Sequence, residues 1–181
     1  VTFHGSTATS ALEPGNQAGF HKILLESSPP IQDVILFSRQ EQRKDVPIQT
    51  VAAGRARGPL LGGNMTCLLR LLGTPYAPDF RDAILFLEDT GEKAYRVDGN
   101  FTHLRLAGVL GQIRGLILGQ FDHTDTAEQV RITACLQREG ERVGVPCVSG
   151  APIGHFPEQI VIPHGAPAEL DAGEGTLRLI Q

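Results

Sequence analysis

A short, uninterrupted apolar run near the middle of the chain constrains its fold more than any other segment. The run Ala83 to Leu87 contains no polar side chain and leads directly into Glu88 and Asp89. It is too short for an ordinary helix, and a strand without polar alternation is typically buried on both faces. Such strands belong to parallel sheets that are covered by helices. We therefore predict an α/β domain built around this strand.

The neighbouring segments alternate between helical and strand-like patterns. We predict helices at 65–72, 92–107 and 127–138, and further strands at 116–118 and 145–148. Strand-like runs without helices between them flank this middle part, at 34–37, 48–51, 160–162 and in a hairpin around 171–175. The alternation predicts parallel strands joined by right-handed crossovers, and the flanking runs predict a partly antiparallel, mixed sheet.

Local signals mark where two of these helices begin. Asn64 is a predicted N-cap for the helix that starts at Met65, and Asp125 is a predicted N-cap for the third helix. Glu128, three residues after Asp125, predicts a capping box at that helix start. A side-chain oxygen at these positions satisfies backbone N–H groups that have no partner within the helix.

A glycine-rich segment, Gly54 to Gly63, precedes the first helix. A glycine-rich turn before a helix can cradle a phosphate. This segment, however, lacks the G-x-x-x-x-G-K-[ST] pattern and contains no lysine. We predict instead a tight turn whose glycines let the backbone approach a neighbouring segment. Arg55 and Arg57 within it are predicted to be solvated.

The length of 181 residues fits one domain with an arm, and 41% hydrophobic residues is ordinary for a globular core. Residues 1–30 are predicted to form an N-terminal arm or linker. It contains a loosely helical stretch, Ala11 to Ser28, that ends at Pro29-Pro30. Residues 31–181 are predicted to form the domain. The first residues are not a signal peptide and do not begin with Met, so we expect a piece of a longer or processed protein.

Charge, hydropathy and cysteine content exclude several classes of function. A net charge of −4 and a pI of about 5.8 argue against a nucleic-acid binder. No apolar run approaches the roughly 20 residues that span a bilayer. Cys67, Cys135 and Cys147 are widely spaced without a Cys-x-x-Cys motif, which predicts buried free thiols in a reducing compartment. The histidines and cysteines do not show zinc-ligand spacing.

Glu88 and His155 are the candidate catalytic residues. Glu88 lies at the carboxyl end of the central strand, where the functional groups of open α/β sheets collect. His155 follows Gly154 in a loop with Pro152 and Pro157, which favours a rigidly held ring. A carboxylate that orients a histidine supplies two members of a nucleophilic hydrolase triad.

Other interpretations of these residues stay open. The Glu88 and Asp89 pair could cap the following helix or bind Lys93 or Arg96, and His155 could be an ordinary surface residue. His164 is a rival histidine at a strand end and is predicted to be exposed. His123 lies beside two aspartates in a metal-like cluster, although adjacent loop residues rarely converge on one ion.

The third triad member, a nucleophile, is missing from the sequence pattern. None of the serines lies in a G-x-S-x-G elbow or a comparable strand-turn-helix. Ser149 is the best candidate, but a Gly/Pro loop follows it rather than a helix. An acid and a base without a nucleophile predict that the chain is part of an enzyme.

An ordered set of motifs resembles one known family. The motifs are Gly62-Gly63-Asn64, 72–79, 84–92, 95–98, 115–121, Gly154-His155 and 162–165. In this order they resemble the C-terminal half of the LD-carboxypeptidases of serine peptidase family S66, which includes the microcin C7 self-immunity peptidases. The opening Thr2-Phe3-His4-Gly5 resembles the segment that follows the nucleophile domain there. The resemblance covers nearly the whole chain.

The resemblance implies a two-domain enzyme. A flavodoxin-like N-terminal domain carries the serine, and a C-terminal domain of the swivelling β/β/α type supplies Glu88 and His155 to a Ser-His-Glu triad. The implied reaction hydrolyses an amide before a terminal D-amino acid, as in release of D-Ala from murein tetrapeptide during cell-wall recycling. The family implies no metal or organic cofactor and a cytoplasmic homodimer. The charge balance and the short apolar runs indicate no nucleic-acid or membrane partner. Without the nucleophile domain, we expect the chain to be inactive.

The sequence departs from the family at two places. Ser6-Thr7 follow Gly5 where family members usually have Pro-Met, and Gly99-Asn100 follow Asp98 where many members have Arg. Two other hypotheses stand beside the half-enzyme. One is a non-catalytic binding or dimerisation module that keeps the fold. The other is an unrelated α/β enzyme that uses Ser149, which requires Ser149 within hydrogen-bonding distance of a histidine.

Overall fold

The computed structural model describes residues 2–5, 23, 34–41, 47–156 and 159–180. Within them the strands are β1 (Phe3–His4), β2 (Ile35–Ser38), β3 (Gln49–Ala52), β4 (Arg55–Asn64), β5 (Ile84–Thr90), β6 (Gly115–Asp122), β7 (Cys147–Ser149), β8 (Ile162–Pro163), β9 (Pro167–Asp171) and β10 (Thr176–Leu179). The helices are α1 (Met65–Leu69), α2 (Ala94–Leu106) and α3 (Thr126–Val143), with a 3-10 turn at Arg39–Glu41. The helix and proline linker predicted within 11–30 lie outside the described residues, apart from Ile23.

The main sheet is mixed, as predicted. Its eight strands run in the order β2-β10-β9-β4-β5-β6-β7-β3, and β1 pairs with β8 in a separate ribbon. Strands β4 to β7 are parallel, whereas the strands at both flanks are antiparallel to their neighbours. The predicted hairpin is the pair β9 and β10. The structure therefore confirms the α/β fold class.

Strand β5 is buried on both faces, which confirms the prediction from its apolar run. Leu85 and Leu87 belong to the hydrophobic cluster formed with the three helices. Ile84 and Phe86 face the opposite cluster, which also contains side chains of β9 and β10. One cluster therefore joins the parallel and antiparallel parts of the sheet on the side away from the helices. Each of these side chains contributes about 1.5–3 kcal/mol through burial.

The glycine-rich segment is a strand, and our prediction of a tight turn was wrong. Residues 55–59 of β4 pair with β9, and residues 60–64 pair with β5. The predicted close backbone approach is present. A Cβ at Gly62 would lie 1.8 Å from the Phe86 carbonyl oxygen, and a Cβ at Gly58 would lie 2.0 Å from that of Asp82. The glycines thus allow neighbouring backbone segments to approach closely. The sequence alone does not reveal this role, because the same glycine-rich composition is also typical of turns.

Arg55 and Arg57 are ion-paired, not merely solvated as predicted. Arg55 Nε lies 2.7 Å from Asp171 Oδ2, and Arg57 Nε lies 2.5 Å from Glu169 Oε2. Both acidic partners are on β9, directly across the sheet from β4. The pairing depends on strand order, so it could not be inferred from the spacing of the arginines.

The helix starts follow the predicted caps, with one exception. Asn64 Oδ1 accepts from the Cys67 N–H, and Asp125 Oδ1 accepts from the N–H groups of Ala127 and Glu128. The reciprocal half of the predicted capping box is absent from this helix. Glu128 Oε2 instead accepts from the Ala94 N–H at 3.0 Å, so it joins the start of α3 to the start of α2.

The three cysteines are free, but only two of them are buried. The prediction of buried thiols is correct for Cys135 and Cys147 and wrong for Cys67. Cys67 lies on the outer side of α1, whose inner side carries the buried Met65 and Leu68. Burial raises the pKa of the Cys147 thiol to about 12, and it also raises the pKa of Cys135.

The thiols should differ in reactivity. At pH 8 we expect a chromogenic disulfide reagent to react rapidly with one thiol per native chain, because a thiolate forms readily only where water reaches the sulfur. All three thiols should react after unfolding in guanidinium. Cys67→Ser should remove the rapid phase. Two or more rapid equivalents in the native protein would contradict the burial of Cys135 and Cys147.

Two glycine substitutions should have opposite effects on stability. Gly62→Ala places a Cβ against the Phe86 carbonyl at a φ of 150°. Overpacking and backbone strain each cost about 1–3 kcal/mol, so we expect a loss above about 3 kcal/mol. Gly99→Ala is the matched control, because it adds a Cβ with no neighbour within 4 Å on helix α2 and should stabilise by up to about 1 kcal/mol. Urea unfolding measures both; equal effects would contradict the close approach of β4 and β5.

Candidate active site

The structure brings Glu88 and His155 into direct contact across 67 residues of sequence. His155 Nδ1 lies 2.8 Å from Glu88 Oε2. A carboxylate has no proton to give, so Nδ1–H donates and Nε2 is the nitrogen that can accept a proton. Glu88 is fully buried, whereas the His155 side chain is 55% exposed and its ring reaches the surface. The pair has the geometry of an acid that orients a base.

Glu88 does not make the alternative contacts that its sequence position allowed. Helix α2 has Lys93 as its N-cap residue and no side-chain cap. Arg96 lies 3.6 Å from Glu92, so its ion-pair partner is not Glu88. Glu88 also lies inside β5 rather than just beyond its end, opposite Asn64 of β4.

The loop that carries His155 is held against β6 by backbone hydrogen bonds. The Gln120 N–H donates to the Ile153 carbonyl at 2.7 Å, and the Ala151 N–H donates to the Leu118 carbonyl at 3.2 Å. Gly119 allows this approach, because a Cβ there would lie 2.4 Å from the Ile153 carbonyl oxygen. The loop is therefore fixed on β6, the neighbour of β5, and this places His155 over Glu88.

Asp89, next to Glu88, faces the other side of the sheet. Its carboxylate accepts from Asn64 Nδ2 at 2.9 Å, from the Thr66 N–H at 3.1 Å and from Thr66 Oγ1 at 2.8 Å. These contacts attach the first turn of α1 to β5. The two adjacent carboxylates therefore have separate tasks, one in the candidate site and one in the packing of a helix.

Two further histidines surround Phe86 beside Glu88. The His164 ring stacks on Phe86 with centroids 5.4 Å apart, and the His4 ring meets Phe86 edge-on at the same distance. His164 Nε2 donates to the Gly62 carbonyl at 3.0 Å, so its Nδ1 accepts from Thr2 Oγ1 at 3.2 Å. The predicted exposure of His164 was wrong, because it is partly buried and both ring nitrogens have partners. His164 therefore lines one side of the candidate site.

Burial sets the charge states around the pair. It raises the pKa of Glu88, and the neighbouring His155 opposes that rise. Burial also lowers the pKa of His4 to about 4, and electrostatic repulsion from the neighbouring His164 and His155 rings adds to the effect when those rings are protonated. Burial raises the pKa of Asp122 at the end of β6, where His155 again acts in the opposite direction. At neutral pH, His4 is therefore an uncharged ring beside a buried carboxylate.

Our sequence reasoning did not single out His4 as a site residue. It comes from β1, and the antiparallel pairing of His4 with Ile162 of β8 places it there. Its only sequence signal is its position in the Thr2-Phe3-His4-Gly5 segment, which has no catalytic pattern of its own.

The remaining sequence candidates are not brought into the site. Among the described residues, no hydrogen bond joins Ser149 to a histidine, so the requirement of the Ser149 hypothesis is not met. His123 Nδ1 accepts from the Asp125 N–H at 3.0 Å within its own loop. In the part of the chain that the structure covers, no group of three or more His, Cys, Asp or Glu residues could hold a metal ion. No helix in that part is both long and apolar enough to cross a bilayer.

Comparison with known proteins identifies one family of carboxypeptidases. Residues 57–170 match the family model of the LD-carboxypeptidase C-terminal domain. A Bacillus subtilis protein named "Probable murein peptide carboxypeptidase" is 28% identical over 184 residues, covering 97% of this chain and 54% of that protein. The crystal structure of muramoyltetrapeptide carboxypeptidase from Oxalobacter formigenes is 33% identical, with a TM-score of 0.63, and the match covers 71% of this chain and 45% of that one.

A third comparison covers nearly the whole chain. The structure of MccF in complex with glutamyl sulfamoyl guanosine matches 99% of this chain and 61% of that chain, with a TM-score of 0.77 at 21% identity. At that identity the likeness shows a shared fold. The chain spans about half the length of the curated relatives it matches, between 40% and 54% for three of them.

The lowered pKa of His4 should make the protein less stable in mild acid. In the unfolded chain His4 takes up a proton near its ordinary pKa of 6.5. In the folded protein the same ring becomes protonated only near pH 4. The unfolded state therefore binds more protons between these values, and stability falls as the pH decreases through this window by up to about 3 kcal/mol.

His4→Gln isolates this contribution, because glutamine does not titrate. Urea unfolding of both proteins at pH 7.5 and pH 4.5 gives two differences in free energy, in which the other titrating groups cancel. We expect wild type to lose about 2–3 kcal/mol more than the variant between the two pH values. Equal losses would show that His4 charges as easily in the folded protein as in the unfolded chain.

Proposed function

Because the chain belongs to the LD-carboxypeptidase C-terminal domain family, we propose that Glu88 and His155 are the acid and the base of a serine-type carboxypeptidase. The observation that carries this proposal is the 2.8 Å contact between a fully buried carboxylate and a histidine that reaches the surface. A purely structural histidine has no need of a buried carboxylate, since water could satisfy its ring. A general base does need one, because the carboxylate selects the tautomer and stabilises the imidazolium.

The proposed mechanism needs a serine hydroxyl from a second domain. His155 Nε2 takes the proton of that hydroxyl as its oxygen attacks the amide carbonyl, and Glu88 stabilises the resulting imidazolium. The imidazolium then protonates the leaving amine, so the C–N bond breaks and an acyl-enzyme remains. His155 activates water in the same way to release the acid and restore the serine. The chain alone is expected to be inactive, because its base has no hydroxyl to deprotonate.

The proposed substrate is a murein-derived peptide whose last residue is a D-amino acid, and the proposed reaction releases that residue during cell-wall recycling. The names of the Bacillus subtilis relative and of the Oxalobacter formigenes structure support this choice. We further propose that residues 1–30 are an arm that follows a serine-bearing, flavodoxin-like domain and that residues 31–181 are the C-terminal domain. The parent enzyme is proposed to act in the cytoplasm as a homodimer.

The first test is release of D-Ala from murein tetrapeptide. The chain is assayed alone, mixed with a separately produced serine-bearing domain, and fused behind that domain in one polypeptide. We expect activity only when the serine-bearing domain is present. His155→Ala and Glu88→Gln should each lower the rate by about 10³-fold or more, because they remove the base or its orienting charge.

His103→Ala is the matched control, since His103 is an exposed histidine on α2 and its loss should leave the rate unchanged. Activity of the chain alone would mean that it carries its own nucleophile. A folded fusion that releases no D-Ala would reject the proposed reaction and favour a binding or dimerisation module. The fusion makes this result independent of whether two separate domains dock.

A further inference from the structure

The two oxygens of the Glu88 carboxylate have different surroundings. Oε2 accepts from His155 Nδ1–H at 2.8 Å. Oε1 is buried and has no hydrogen-bond partner among the described residues. A buried carboxylate oxygen without a donor is rare in native proteins, because burial removes the water that would otherwise bind it. A donor directed at this oxygen would therefore stabilise the buried carboxylate.

The His4 ring is an ionisable group close to Oε1. His4 Nε2 lies 4.0 Å from Oε1, which is an electrostatic approach and not yet a hydrogen bond. The neutral ring carries one proton, and the adjacent carboxylate favours that proton on Nε2. Nδ1 lies on the opposite side, next to Gly63, where an added Cβ would be 3.4 Å away. The N–H dipole of His4 is thus directed at the unpaired oxygen.

The position of the His4 ring is determined by its neighbours. Phe86 and His164 contact it edge-on, with centroids at 5.4 Å and 6.4 Å. The pairing of β1 with β8 holds its backbone. A ring restrained in this way can orient a carboxylate, whereas a freely rotating side chain would spend much of its time elsewhere.

Asn64 is the rival donor, because its amide also favours the charged form of Glu88. Its hydrogen bonds with the other described residues lie on the other face of the sheet, and they hold Nδ2 toward Asp89. Nδ2 donates to Asp89 Oδ1 at 2.9 Å, and Oδ1 accepts from the Cys67 N–H at 3.0 Å. No hydrogen bond from Asn64 reaches Oε1. His4 is therefore the better-placed donor.

We infer that His4 is a positioning residue that holds the Glu88 carboxylate from the side opposite His155. With an N–H group directed at each oxygen, rotation of the carboxylate away from His155 is disfavoured, and its ionised form is favoured over the protonated one. A movement of about 1 Å converts the 4.0 Å approach into a hydrogen bond. The catalytic consequence rests on the proposed function, but the effect on Glu88 is a property of this chain alone.

The effect on Glu88 is tested by titrating its side-chain carboxyl carbon with ¹³C NMR. His4→Phe keeps an aromatic ring against Phe86 but removes the N–H group, so we expect the Glu88 titration midpoint to rise by about one pH unit, a tenfold change in the protonation equilibrium. His4→Gln replaces the Nε2 donor with an amide of similar reach, and it should retain the wild-type midpoint. His4→Asn is too short to reach Oε1 and should resemble His4→Phe.

A wild-type midpoint in both folded His4→Phe and folded His4→Asn would overturn the inference. A shift of the same size in all three variants would also overturn it, because a loss of packing alone would then explain the effect. Circular dichroism establishes that each variant is folded. If His4→Phe does not fold, the comparison of His4→Asn with His4→Gln still decides between the two results.

The catalytic consequence is tested in the fusion with the serine-bearing domain. His4→Phe should lower kcat by about 10- to 100-fold with little change in KM, because a misdirected carboxylate disturbs the base rather than substrate binding. His4→Gln should keep most of the activity. An inactive wild-type fusion would reject the proposed reaction and leave the Glu88 titration to decide the role of His4. An active fusion with full activity in His4→Phe would overturn the positioning role.

Discussion

A fully buried carboxylate on the central strand is the constraint on which the rest of the site depends. Glu88 is placed in the sheet by the same apolar strand that forms the core, so it is removed from water together with Phe86 and Leu87. A buried charge must be compensated by nearby donors or it becomes protonated. The His155 loop on β6 and the His4 ring on β1 both converge on this single group. Removing either partner leaves the burial of Glu88 less well compensated.

Adjacent residues on the two faces of β5 have different roles, one in packing and one in the candidate site. Asp89 points toward the helices and is fully engaged with Asn64 and Thr66. Glu88 points to the opposite face, where the histidines lie. Because side chains alternate along a strand, a one-residue shift in register would exchange these two carboxylates. The continuous parallel pairing of β5 with β4 through Asn64 and Glu88 prevents that shift, whereas the pairing with β6 is irregular between Leu87 and Asp89.

Much of the fold could be predicted from the sequence, because its signals are local. The apolar run of β5, the caps at Asn64 and Asp125, and the final hairpin are all properties of a few consecutive residues. The errors arose where distant strands meet. The glycines of β4 serve contact with β5, and Arg57 finds its acidic partner on β9. Cys67 was misassigned because a short helix can bury one side and expose the other.

The sequence by itself determined which residue types were available for chemistry and where the central strand would run. It placed Glu88 near the carboxyl end of a buried strand and His155 in a constrained loop, and the order of motifs pointed to the family. Only the tertiary structure decided that these two side chains touch, that His164 is engaged with Gly62, and that His4 faces the second oxygen of Glu88. The physical reason is that strand order, the attachment of the His155 loop to β6 and the pairing of β1 with β8 set these contacts. No local pattern of residues encodes them.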